Sequence, residues 1–177
     1  MLPGVKRLAG LALLACLAAG CGKTTAPTTT ISATGQQSEP KAASPAELRS
    51  LSGQLGHPIY WIGEQSGKTY ELTRFNDGRV FIRYLPQGVK VGTTRALYTI
   101  LGPYPVQNAH GVLEKLAKKS GELSFTAPHN GLGVFSTSRP TNVYVAYPGS
   151  NLEIEVFDPS PDRARKLITS GQVKPVS

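Results

Sequence analysis

The feature that most constrains the fold of this 177-residue chain is a strand–turn–strand pattern around Asn76-Asp77-Gly78. Residues 69–75 and 79–85 are runs rich in β-branched and aromatic side chains, and such runs on either side of Asp-Gly predict a β-hairpin. A three-residue turn pairs the last residue of the first run with the first residue of the second. This register opposes Glu71 to Arg83 and apolar residues to apolar residues, so we expect it.

The rest of the chain predicts helices and short strands in a regular order. The segment Ser44-Pro45-Ala46-Glu47 has the pattern of a capping box and opens a helix to about Leu55. A second helix with an apolar stripe ends near Lys119, and Ser160-Pro161-Asp162 opens a third. Gly102-Pro103-Tyr104-Pro105 is expected to interrupt the strand pattern. The eight expected strands are 59–62, 69–75, 79–85, 96–101, 123–126, 133–137, 142–147 and 152–157.

This order predicts a single α+β domain with a mainly antiparallel sheet of about eight short strands and three helices. The two halves are also compatible with an internal duplication. Ile59-Tyr60 and Val143-Tyr144 are each expected to start a hairpin, with 70–75 and 152–157 as the second strands. These second strands share a Glu in second place and a final Phe.

The first 20 residues have the pattern of a secretory signal peptide. Lys6 and Arg7 precede an apolar run over residues 8–17, which is too short to span about 30 Å of hydrocarbon. The run Leu17-Ala18-Ala19-Gly20-Cys21 resembles the lipobox of bacterial lipoprotein precursors, although Ala18 stands where leucine is usual. The resemblance implies that a diacylglyceryl group is attached to Cys21 and that cleavage occurs before it. The acylated Cys21 would then hold the chain on the extracytoplasmic face of the cell membrane.

Two alternatives to lipidation at Cys21 remain open at this point. The segment could be an ordinary signal peptide followed by an incidental cysteine, or Cys16 could be the acylated residue after a much shorter apolar run. If cleavage occurs before Cys21, this residue is the only cysteine of the mature chain and carries lipid. Thiol chemistry in the folded part is then excluded.

Residues 21–43 predict a lipidated, flexible tether, and residues 44–177 predict the globular domain. The tether is rich in Thr, Ser and Pro and has no hydrophobic period, so it cannot bury enough apolar surface to fold by itself. The formal charge of +8 falls to +6 after cleavage and to +5 on the domain. A moderate positive charge favours weak attraction to an anionic envelope. An extracytoplasmic address argues against nucleic acid as a partner.

Arg79, Phe81 and Arg83 are the candidate binding residues, because alternation along a strand places all three on one face. A strip of arginine, aromatic and arginine can bind an anionic polymer through charge and stacking. Outside the cell, such a polymer would belong to the cell wall. The alternative is structural, with Phe81 packed under a helix and the arginine stems covering apolar surface.

Acidic residues and histidines provide the candidates for catalysis. Glu153 and Glu155 share a strand face at a spacing of roughly 7 Å, and Asp158 follows, as in the carboxylate pairs of glycoside hydrolases. The alternative is a solvated sheet face. His110 and Glu114 are spaced as a helix-surface pair that could also bind a metal, whereas His57 and His129 lie in expected loops.

We therefore predict no catalytic residue, no cofactor-binding site and no metal site. The expected function is a non-catalytic binding or structural module of the cell envelope, with a wall polymer or another envelope protein as its partner. The alternative is an envelope carbohydrate-active hydrolase that uses a carboxylate pair.

Overall fold

The computed structural model describes residues 36–177, which form three α-helices and ten β-strands. The elements, in chain order, are β1 (Lys41–Ala43), α1 (Pro45–Leu55), β2 (Tyr60–Trp61), β3 (Lys68–Arg74), β4 (Val80–Pro86), β5 (Ile100–Pro105), α2 (Ala109–Leu116), β6 (Glu122–Ala127), β7 (Gly131–Ser136), β8 (Asn142–Ala146), β9 (Leu152–Phe157), α3 (Pro161–Thr169) and β10 (Lys174–Pro175). The expected signal peptide, Cys21 and most of the expected tether lie outside the described residues.

Eight strands form one antiparallel sheet in the order β1-β3-β4-β5-β9-β8-β7-β6, and β2 pairs with β10 separately. The expected α+β domain with three helices and a mainly antiparallel sheet is confirmed. The expected hairpin register is also confirmed, because Glu71 pairs with Arg83 and the Phe75 amide donates to the Arg79 carbonyl. Leu72 pairs with Ile82 in the same hairpin.

The helices cover the two faces of this sheet unequally. The core on one face combines α1 and α3 with inward side chains of the strands, such as Ile82 and Ile154. On the other face, α2 packs its buried Leu113 against Val134 and Ala146, which belong to β7 and β8. On this second face, α2 therefore covers β7 and β8. The rest of the face has no helix of residues 36–177 packed on it and could hold a binding site.

Strand β5 corrects the expectation that Gly102-Pro103-Tyr104-Pro105 breaks the strand. The segment continues β5 and pairs along its whole length with β9, while its pairing with β4 ends after Ile82 and Leu101. The Thr99 carbonyl accepts a hydrogen bond from a backbone amide of β4. Because backbone groups alternate along a strand, the N–H and C=O groups of the odd-numbered residues in β5 point towards β4. Both prolines are odd-numbered. The positions that lack an N–H group therefore face the side on which no strand within residues 36–177 pairs with them.

The hairpin expected from Ile59-Tyr60 is wrong, because β2 pairs with β10 rather than with β3. The corresponding hairpin in the second half, β8 with β9, is present. The pairing on which an internal duplication was based is therefore found in only one half. The reason is tertiary, since the Ile59 carbonyl accepts from the Val176 amide and the C-terminal segment thus occupies the edge of β2.

The last residues of the expected tether take part in the sheet. Strand β1 pairs Ala43 with Tyr70 and Ala42 with Glu71, and Gln37 forms an isolated bridge with Phe75. An edge strand needs few side-chain contacts of its own, because its backbone is stabilised by the ladder of its neighbour. The composition of residues 41–43 therefore does not indicate that they form a strand. Within residues 36–177, the longest helix is too short and too polar to cross a bilayer.

Candidate functional site

A row of side chains crosses the face of the sheet that α2 covers only in part. Thr73 pairs with Phe81, Gly102 pairs with Glu155, and Glu155 pairs with Tyr144, so these residues follow one another across β3, β4, β5, β9 and β8. Antiparallel register keeps all their side chains on one side. The row ends at α2, because Tyr144 packs against the α2 cluster.

A pocket of about 540 Å³ lies on this face, within the size range of small-molecule sites. The loop between β4 and β5 contributes Gly92, Thr93, Thr94 and Ala96 to its rim. Strand residues contribute its floor and walls. They are Glu71, Thr73, Phe75, Phe81, Arg83, Ile100, Gly102, Tyr104, Asn142, Glu155 and Phe157, with Gln37 and Pro40 from the N-terminal edge.

Aromatic rings form much of the wall. The ring of Phe81 lies over Gly102, where a β-carbon would collide with it. It meets Phe75 and Tyr104 edge to face, with ring centroids 5.3 and 5.5 Å apart. Phe157 lies beyond, opposite Ile100 of β5. Gly102 thus allows the Phe81 ring to approach the backbone of β5 closely, and the two other rings pack against it.

Glu155 is the carboxylate that this pocket presents. Its Oε1 accepts a hydrogen bond from the Asn142 amide at 2.5 Å, and its Oε2 accepts one from the Tyr104 hydroxyl. Burial, followed by the nearby charge of Glu155, raises the pKa of Tyr104 far above its ordinary value. The tyrosine therefore stays a neutral donor. Among residues 36–177, no Lys, Arg or His nitrogen lies within 4.0 Å of this carboxylate.

The second carboxylate of the pocket, that of Glu71, is neutralised within the fold. It is buried and lies 2.5 Å from the Arg83 guanidinium. Its other oxygen accepts from the Gly92 amide at 2.6 Å, which ties the rim loop to β3. The Glu71 carboxylate thus fixes one point of the rim loop, and its ion pair with Arg83 contributes no net charge to the pocket.

The strip predicted to bind an anionic polymer is present in geometry, since Arg79, Phe81 and Arg83 do face the same side of the sheet. Both guanidinium groups are paired, however, because Arg79 lies 2.6 Å from Asp77 and Arg83 lies 2.5 Å from Glu71. Arg79 is only 7% exposed. Its guanidinium lies over the Phe75 ring at 4.5 Å from the centroid. Polymer binding by this strip stays a prediction, and the pairing of both arginines directs attention to the pocket.

The carboxylates predicted as a catalytic pair occupy different environments. Glu153 is 7% exposed and pairs with Tyr104 and Ala146 on neighbouring strands, whereas Glu155 lines the pocket. Burial, followed by the charge of Glu155, raises the pKa of Glu153 to about 7. The expectation of a solvated face therefore does not describe these residues.

Asp158 does not join this pair. It is buried, accepts a hydrogen bond from the Thr99 hydroxyl at 2.7 Å, and lies 3.5 Å from Arg163. It also accepts from the Ser160 amide at the start of α3. These contacts connect β9 to α3 and give Asp158 a structural role.

The three histidines stay separate from the pocket. His110 lies 3.5 Å from Glu114 as the expected helix-surface pair, and His57 is half-buried against the carbonyl of Gly78. His129 lies in an exposed turn with positive φ. In the described part of the chain, no three His, Cys, Asp or Glu side chains are grouped to hold a metal ion.

Sequence reasoning missed the pocket, although it singled out two of its residues, Phe81 and Glu155, for different reasons. They line the same pocket because β5 lies between β4 and β9, an order that no local pattern specifies. Gly102 within a strand was a usable signal, since an interior glycine often marks a close approach of another group. Comparison of the chain with protein-family models, with curated proteins and with solved structures finds no match.

Proposed function

We propose that this chain is a lipid-anchored, extracytoplasmic binding protein of the cell envelope, which holds a small ligand in the pocket on the open face of its sheet. The pocket carries this proposal. It combines a concave apolar wall with a few fixed polar groups, which is the usual composition of a small-molecule site. The lipobox resemblance supports the location, with acylated Cys21 holding the domain at the bilayer.

The polar groups of the pocket are already held in place by protein contacts. Glu155 is fixed by Tyr104 and Asn142, and Glu71 is fixed by Arg83 and Gly92. Fixed groups lower the entropy cost of binding, because fewer side chains must become ordered when the ligand enters. Such an arrangement favours recognition of one kind of ligand over a general adhesive surface.

Nuclear magnetic resonance tests the proposal with 2-phenylethanol, a neutral aromatic probe, titrated into the full-length chain carrying Cys21→Ala. We expect saturable shifts at the backbone amides of pocket residues such as Gly102. Ala96→Trp should abolish these shifts, because Ala96 is an exposed rim residue and a Trp ring would fill the cavity. The matched control is Ala46→Trp on the exposed surface of α1. Shifts that are absent in the parent chain, or that persist in Ala96→Trp, would refute the pocket as the binding site.

Carbohydrate hydrolysis is a second candidate, and the raised pKa of Glu153 beside Glu155 is the observation that favours it. A carboxyl with a pKa of about 7 is suited to act as a general acid, with Glu155 as its partner. Glu153 is buried, however, and is absent from the pocket wall. Release of reducing sugar from peptidoglycan, lost in both Glu153→Gln and Glu155→Gln, would support hydrolysis. No release by the parent chain would reject it.

A further inference from the structure

The charge balance of the pocket identifies a class of ligand. Two ion pairs within the fold lie in or beside it. Arg83 is paired with Glu71, and Arg79 with Asp77. Glu155 is therefore the one pocket carboxylate without a cationic partner among residues 36–177.

The Glu155 carboxylate retains capacity for a further partner. An ionised carboxylate offers about four acceptor positions on its two oxygens. The Asn142 amide and the Tyr104 hydroxyl account for one on each oxygen. About two positions remain, and the carboxylate lines the pocket. A cationic donor that enters the pocket can therefore form a charge-assisted hydrogen bond without displacing either existing partner.

The aromatic wall beside this carboxylate also favours a cation. The faces of Phe and Tyr rings attract positive charge within about 6 Å of the ring centroid. The fold already uses this attraction, because the Arg79 guanidinium lies 4.5 Å from the Phe75 centroid and 5.9 Å from that of Tyr104. Phe81 and Phe157 extend the same wall into the pocket.

We infer that the pocket binds an organic cation, in which an ammonium group is attached to an apolar or aromatic body. This inference rests on the proposed function. The ammonium group lies against Glu155, and the apolar body lies against Phe81 and Phe157. Anions are disfavoured by the negative charge of the Glu155 carboxylate. Neutral ligands of the same shape bind through the apolar wall alone.

Isothermal titration calorimetry at pH 7 with three probes of similar shape tests this inference on the full-length Cys21→Ala chain. The probes are the 2-phenylethylammonium ion, neutral 2-phenylethanol and the 3-phenylpropionate anion. We expect the cation to bind at least about tenfold more tightly than the alcohol, and the anion to bind most weakly. Added salt should reduce the advantage of the cation over the alcohol.

Substitution of Glu155 tests whether its carboxylate causes the preference for the cation over the alcohol. Glu155→Gln removes the charge and keeps the shape, so the cation and the alcohol should then bind within about twofold of each other. Glu64→Gln is the matched control, because Glu64 is exposed and lies outside the pocket wall, and it should leave the preference unchanged. If Glu155→Gln fails to fold, the comparison of the three probes on the parent chain remains decisive.

The outcomes separate this inference from the proposed function. If the alcohol binds as tightly as the cation, or if Glu155→Gln keeps the preference, the inference is overturned while the pocket remains a binding site. If the anion binds best, the inference is also overturned. If none of the three probes binds in the pocket, both the inference and the proposed function fail.

Discussion

Glu153 should make the stability of this domain depend on pH in a direction unusual for a carboxylic acid. Its side chain is 7% exposed, and burial together with the charge of Glu155 raises its pKa from 4.5 to about 7. Below pH 4.5 the group is protonated in both the folded and the unfolded chain and adds no cost. Between pH 4.5 and 7 the unfolded chain loses this proton while the folded chain keeps it, so stability falls as pH rises.

The magnitude follows from the two pKa values. The difference between 4.5 and about 7 corresponds to about 3 kcal/mol of unfolding free energy. This penalty is fully present above pH 7 and absent below pH 4.5. Glu153→Gln keeps the size of the side chain but cannot ionise. We therefore expect the stability of the variant, relative to the parent, to increase by about 3 kcal/mol between pH 4 and pH 8.

Urea unfolding at several pH values measures this difference on the full-length Cys21→Ala chain. Trp61 is the single tryptophan of the sequence and is buried, so its fluorescence reports unfolding. Glu64→Gln serves as the control, because Glu64 is exposed and its substitution should change stability little at any pH. A stability difference between Glu153→Gln and the parent that stays constant from pH 4 to pH 8 would contradict a raised pKa of Glu153 in the folded chain.

Three further predictions concern packing, helix capping and the anchor. Gly102→Ala should lower the unfolding free energy by about 1–3 kcal/mol, because its β-carbon meets the Phe81 ring, and much of this loss should disappear when measured in a Phe81→Ala background. Ser44→Ala should cost about 1 kcal/mol in urea unfolding, because the Ser44 hydroxyl caps α1 through the Glu47 amide, and an unchanged midpoint would contradict this role. Cys21→Ala should move the protein from the membrane fraction to the soluble fraction of cells, and persistent membrane association would argue against acylation at Cys21.

Local patterns were sufficient to predict the elements whose signals lie within a few residues of each other. The capping box at Ser44 and Glu47 and the turn at Asp77 each involve contacts between residues close in the chain. The hairpin register followed from matching charge and hydrophobicity across one short turn. Such signals are legible in sequence because their partners are near neighbours and few alternatives compete.

Elements that depend on distant partners were predicted poorly. Strand β1 is an edge strand of three residues within the expected tether, and β2 pairs with β10 from the far end of the chain. Strand β5 contains two prolines, and a strand that is hydrogen-bonded along both edges would not tolerate them. Its tolerance of Pro103 and Pro105 depends on where the β4 ladder stops, and that point is set by packing of the whole sheet.

Composition and short-range periodicity are sufficient to predict the class of fold, and they also predict an exported N-terminus separate from the folded domain. The sequence also identified Phe81 and Glu155 as candidates, but for two unrelated activities. Their common position in one pocket follows from the order of the strands, which places β5 between β4 and β9. The folded chain also pairs the arginines beside Phe81 with acidic residues, whereas Glu155 has no cationic partner among residues 36–177. A sequence shows which charged groups are present. Which of them form ion pairs depends on the distances between their side chains in the folded chain.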